Sequence, residues 1–93
     1  MPNTRSAIKR ARQNEKRRLR NKAWKSRVKT ETKKVLVALQ EGKDEQEVRA
    51  LLRNALRMID KVGSKGVLHK RTVARKKSRL ARRTNAALAA RNQ

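Results

Sequence analysis

Apolar residues return along the middle of the chain at Val48, Leu51, Leu52, Ala55, Leu56, Ile59 and Val62. Spacings of three and four residues line one face of a helix with 3.6 residues per turn, and Arg49, Arg53 and Arg57 fall off that face. Asp44, three residues before Glu47, has the spacing of a capping box, which predicts the start of this helix. Upstream, Val28, Thr32, Val35, Leu36 and Leu39 form a second stripe, predicting a helix that ends near Glu41 with Gly42 in the turn. Before Trp24 this stripe dissolves into basic residues. A third pattern sets Val73, Leu80, Ala81, Thr84, Ala87 and Leu88 on one side of a helix. Arg71, Arg75, Lys76, Arg79, Arg82 and Arg83 take an opposing arc of roughly 140°. Lys77 falls on the apolar side, where its stem can run along the core edge with the ammonium in water. Gly63 and Gly66 bracket Ser64 and Lys65 and predict the second turn, because a helix C-cap favours a residue that accepts positive φ.

Three striped helices joined by short turns predict an all-α fold, a single up-down-up three-helix bundle. The first helix is too long for that bundle. From about Arg5 to Gln40 it spans roughly 54 Å at 1.5 Å per residue, more than either partner can cover. Residues 1–25 therefore read as a basic arm continuous with helix one, and 26–93 as the bundle. Like charges one turn apart destabilise an isolated helix, so the arm is predicted to be disordered or fraying until a partner binds.

Charge names the class of that partner. The chain of 93 residues carries 29 Lys and Arg against 7 Asp and Glu, a formal net charge of +22. Residues 1–34 hold 14 basic and 2 acidic side chains, 35–62 hold 5 of each, and 63–93 hold 10 basic and none acidic. Repulsion on this scale opposes a compact state unless a polyanion screens it. A membrane surface fits poorly: Trp24 is the only aromatic residue, and the longest apolar run, Val35 to Leu39, falls far short of about 20 residues. No apolar segment follows the basic start as in a signal peptide, so the chain is expected to stay in the cytoplasm. The absence of cysteine excludes disulfides and thiolate chemistry.

Catalysis finds no footing. One histidine and carboxylates mostly on the neutral middle helix supply no nucleophile, base and orienter, and no loop motif for a metal. The stretch "GSKG" at 63–66 lacks the spacing and following Ser or Thr of a phosphate-binding loop. Neither cofactor, metal nor small-molecule substrate is expected. A surface built only for solubility mixes both signs of charge, which the two flanks do not, so the partner is nucleic acid.

Which nucleic acid follows from what is missing. "RLRNKAWKSRVKT" looks superficially like a basic region leading into a zipper, but positions 26, 33 and 40 are Ser, Lys and Gln, not leucine. Single-strand RNA modules stack bases on several aromatic rings, and one tryptophan cannot build that platform. Backbone recognition of a compact, folded nucleic acid remains, and a histone-like nucleic-acid-compacting protein is the alternative that composition allows. Two residues carry two readings each. Trp24 reads as packed against the bundle ahead of stacked on a base; His69 reads as a surface or capping group, with a phosphate or ribose contact the second option.

"SAIKRARQNEKRRLRNKAWKSRVKT" (6–30) and "SKGVLHKRTVARKKSRLARR" (64–83) together closely resemble the bacterial and plastid small-subunit ribosomal protein numbered twenty. The resemblance covers nearly the whole chain, including the acidic "GKDEQE" turn. It implies a three-helix bundle that binds 16S rRNA directly and early in assembly, as a monomer among other small-subunit components. Carried onto this chain, it puts RNA-facing residues at Lys9, Arg10, Arg12, Arg17, Arg18, Arg20, Asn21 and Lys22 in the arm. In the third segment it implies His69, Lys70, Arg75, Lys76, Lys77 and Arg79, and Arg82 joins them from the cationic arc. Arg71 stands where the family usually has Asn, which leaves Thr72 as a substitute cap for the third helix. Trp24 stands where the family has no particular aromatic.

Overall fold

The structure, a computed structural model, describes residues 4–91; the first three residues of the predicted arm lie outside that range. Three helices follow one another, α1 (Arg5–Gln40), α2 (Glu45–Ser64) and α3 (Lys70–Arg91). Each packs on both others, giving the all-α bundle that the three stripes predict. The faces are the expected ones. Val48, Leu52, Ala55, Ile59 and Val62 of α2 are buried, and all of them but Val48 meet Val28 and Val35 of α1 and Leu80 of α3 in the main core. Ala38, Val48 and Leu88 close a smaller cluster at the other end. Thr84 is fully buried, and its hydroxyl donates to the Leu80 carbonyl at 2.8 Å, so the core holds no orphaned polar group there.

Both turns are built on a left-handed glycine. Gly42 has φ of 68° and Gly66 of 76°, a region that costs a residue with a Cβ. After α1, the Gly42 and Lys43 amides donate to Leu39 and Ala38; after α2, those of Gly66 and Val67 donate to Gly63 and Val62. This paired pattern is a Schellman motif, which satisfies carbonyls that the helix end leaves free. Arg91 adds to the first turn from the far end of the chain, donating to the Lys43 carbonyl at 2.6 Å and to Leu39 at 3.1 Å.

Three local expectations are corrected. Gly63 is not a turn residue, because α2 runs on to Ser64; its missing side chain instead makes room for α3, since a Cβ there would stand 2.5 Å from Val73 Cγ2. Asp44 occupies the N-cap position but makes no side-chain capping bond, so no capping box forms. The start of α2 relies on the Val48 amide bonding the Asp44 carbonyl and on Glu45 and Glu47 facing the positive end of the helix dipole. Thr72 does not cap α3, since it lies inside the helix. His69 does: its Nδ1 accepts from the Arg71 amide at 3.1 Å, and its carbonyl accepts from Val73.

The arm is helical. Thr4 caps it, its hydroxyl accepting from the Ala7 amide at 3.2 Å, and the helix continues unbroken into the bundle. Between Arg5 and Ala23 no residue is buried, and Ile8 and Leu19 stand exposed among the charges. With α2 and α3 about 30 and 33 Å long, the molecule extends 69 Å in its longest direction against 23 and 16 Å in the others. The charge pattern argues for disorder in the free arm, and the structure gives it regular backbone without tertiary support.

Candidate nucleic-acid interface

Helix α1 carries its charge in two ways. In the bundle, the face turned to α2 and α3 is apolar and the rest is basic. In the arm no partner helix claims a face, so Lys9, Arg10, Arg12, Arg17, Arg18, Arg20, Asn21 and Lys22 are all exposed around the rod. Two clefts run along it. Arg18, Asn21, Lys22, Lys25, Ser26 and Lys29 line one of about 400 Å³. The other, about 450 Å³, lies where the arm meets the α2–α3 turn, between Arg17, Arg20, Asn21 and Trp24 on one side and Lys65, Gly66 and Val67 on the other.

One arginine of the arm is engaged. Arg18 reaches Glu15 through two hydrogen bonds, Nη2 to Oε1 at 2.6 Å and Nε to Oε2 at 3.2 Å. Hydrogen bonds from Arg18, and then its charge, hold the Glu15 carboxyl below the usual carboxylate range. The Glu15 carboxylate therefore stays charged in mildly acidic solution, and what the pair contributes is lost as pH falls through that lowered value. Both groups are fully exposed, so the pair orders one turn of the arm without anchoring it.

Helix α3 presents the second basic surface. Lys70, Arg75, Lys76, Arg79 and Arg82 are exposed, and opposite them Leu80, Thr84 and Leu88 are buried, as the periodicity predicts. Lys76, Arg79 and Arg83 border a shallow groove of about 230 Å³ closed on the α1 side by Thr32 and Leu36. Lys77 stands apart from this arc. It is half-buried at the core edge with its ammonium 3.0 Å from Asp60 of α2, which follows from its place on the apolar side of the wheel. His69 is exposed beside Lys70, and because Nδ1 accepts the capping bond, Nε2 carries the ring proton and points a donor elsewhere.

Trp24 packs against the main core as a half-buried residue, the first of its two readings. Its ring also gathers cations: Arg27 Cζ lies 5.0 Å, Lys61 Nζ 5.4 Å and Lys65 Nζ 4.8 Å from its centroid. Sequence reasoning placed Arg83 on the cationic arc without carrying it to the interface, and it missed Lys25, Arg27, Lys29, Lys61 and Lys65. Lys25 and Lys29 continue the Arg18–Lys22 face at spacings of three and four residues, a signal that was present. Lys61 sits on the helix with the most carboxylates, and only folding brings it to the Trp24 ring.

Among the described residues no group of three or more His, Cys, Asp and Glu is placed to hold a metal, and no helix is long and apolar enough to cross a membrane. What the two basic surfaces offer is many donors, few of them answered by carboxylates, on a helical arm and a bundle. Such surfaces bind phosphate oxygens without reading bases.

Comparison with known proteins gives the family. The family described as Ribosomal protein S20 matches residues 2–85. The chain is 52% identical over 85 residues to the small ribosomal subunit protein bS20 of Thermotoga neapolitana, covering 91% of this chain and 86% of that one. It is 46% identical over 92 residues to that of Kosmotoga olearia, covering 99% and 94%. With the bS20 protein of Natranaerobius thermophilus it shares 52% over 85 residues, covering 91% and 96%. A three-helix bundle with an overlong basic first helix, matched in sequence along nearly its whole length, places this chain in the ribosomal protein S20 family.

Proposed function

We propose that this chain is a structural component of the small ribosomal subunit, located in the cytoplasmic ribosome, that binds 16S rRNA directly as a monomer beside other small-subunit components. It has no catalytic role. Residues 1–25 act as an arm threaded among rRNA helices, and the bundle from residue 26 presents the exposed cationic face of α3. The arm contributes Lys9, Arg10, Arg12, Arg17, Arg18, Arg20, Asn21 and Lys22; the bundle contributes His69, Lys70, Arg75, Lys76, Arg79 and Arg82. Lys77 joins them by exchanging Asp60 for a phosphate.

The observation that carries this reading is the arm. A helix exposed on every side over its first five turns, with basic residues all round, is suited to being surrounded by polyanion rather than laid on one groove. Neutralising phosphates from several RNA helices at once offsets the repulsion that these charges exert on one another. The alternative, a histone-like protein that compacts duplex DNA, differs in what it prefers at equal charge. Filter binding to folded 16S rRNA and to duplex DNA of equal nucleotide content, at one fixed salt concentration, separates the two. Tighter retention of the rRNA is the expected result, and equal affinity for both overturns the proposal.

A further inference from the structure

The cleft between arm and turn holds more positive charge than its neighbours explain. Arg17, Arg20 and Trp24 of α1 line it opposite Lys65, and Arg27 of α1 and Lys61 of α2 stand at its margin, within 5.4 Å of the Trp24 ring centre. None of the five cations is in an ion pair among the described residues. The negative end of the α2 dipole accounts for a lysine at 61 and another at 65. It does not account for three arginines brought to the same place by a different helix. Lys61 and Lys65 repel across one helical turn, and each is repelled again by Arg27. The indole face offsets part of this, since its quadrupole attracts a cation within about 6 Å, and all three stand inside that distance.

Trp24 is thus the point that three of these charges share. It packs against the core as a half-buried residue, and the long side chains of Arg27, Lys61 and Lys65 collect around its ring. We infer that this cleft is a backbone-phosphate site of the bound RNA, formed by Lys61, Lys65 and Arg27 with Arg17 and Arg20, and that Trp24 is its positioning residue. The inference rests on the rRNA-binding reading above and extends it to α2, whose net charge gives no hint of an RNA-facing role. Phosphate oxygens are the fitting ligand because every charged group at the site is a cation.

Trp24 is the only aromatic residue, so its fluorescence reports this cleft alone. The full chain is titrated with 16S rRNA and, separately, with inorganic tripolyphosphate, while quenching by iodide, itself an anion, is followed and rRNA binding is measured independently by filter retention. Bound rRNA is expected to shield Trp24 from iodide several-fold. In a Lys61→Ala/Lys65→Ala variant the salt dependence of rRNA affinity should fall by about 0.7–0.9 in log–log slope for each phosphate that is no longer neutralised. Trp24→Leu should lower the slope in the same way, and Trp24→Phe, which keeps an aromatic face, should restore it; helix content by circular dichroism checks that each variant is folded.

If rRNA binds but leaves Trp24 open to iodide, and the double variant keeps the full slope, the cleft is not a phosphate site and the rRNA reading stands without it. If tripolyphosphate shields Trp24 and bound rRNA does not, the site takes a free polyphosphate and the assignment to RNA fails. Absence of rRNA binding by the unaltered chain overturns both.

Discussion

Gly63 and His69 show what single side chains contribute between α2 and α3. Alanine is the better helix former by about 1 kcal/mol, so helix propensity alone predicts that Gly63→Ala stabilises the chain. The structure reverses that sign. The new Cβ would meet Val73 Cγ2 at 2.5 Å, and a β-branched side chain in a helix has little rotamer freedom with which to retreat. We expect Gly63→Ala to lower stability by about 1–2 kcal/mol in urea denaturation, and Val73→Ala in the same chain to cost less than it does alone. An unchanged or raised midpoint for Gly63→Ala would show that the helices can part without cost. His69 is argued likewise from its cap. His69→Ala should lower stability by about 1 kcal/mol and His69→Asn should keep most of it, because Asn also accepts from the amide two residues on. Comparing the stability of both variants with their rRNA affinity separates the cap from any role at a phosphate: a stable His69→Asn that binds weakly assigns the imidazole to RNA as well.

At the scale of elements, α1 is two helices in one. Its second half is held by Val28, Val35 and Ala38 in the core and by the Arg91 hydrogen bonds at its end. Its first half is held by the Thr4 cap and the exposed Glu15–Arg18 pair, each worth little in water. Local opening therefore costs far less in the arm than in the bundle. Hydrogen exchange on the free chain should show amides of residues 5–22 exchanging orders of magnitude faster than those of 48–62, with protection of the arm arising on addition of 16S rRNA. Equal protection of both segments in the free chain would mean that the arm is stable by itself. Protection confined to 64–83 on adding rRNA would mean that α3 binds alone. The α2 stripe was legible because its residues face core on one side and water on the other. The arm was legible only as an excess of charge, since a helix without a buried face leaves no apolar period to read.

Across the whole molecule, the two basic surfaces are joined by a middle stretch, residues 35–62, whose charges cancel, and binding is expected to depend on their sum. Individual arginines on such a surface are interchangeable to a large degree, so single alanine changes should move affinity little. A triple reversal, Arg75, Arg79 and Arg82 to Glu, replaces attraction with repulsion along the exposed arc of α3. It should abolish rRNA binding in filter assays at moderate salt while leaving the helical circular dichroism spectrum unchanged, because all three are exposed and none belongs to the core. Retained binding by the folded triple variant would remove that face from the interface.

The sequence by itself determined the number of helices, their buried faces, the glycine turns at 42 and 66, and the need for a polyanionic partner. Each of these depends on local spacing or on total charge, and both are readable without knowing which helices meet. Only the tertiary structure decided that Gly63 is a point of helix approach, that His69 and not Thr72 caps α3, that Lys77 answers Asp60, and that Lys61 and Lys65 meet the arm around Trp24. Those facts depend on which residues of different helices come within a few ångströms, and that distance is set by the packing of whole helices, not by the order of residues along any one of them.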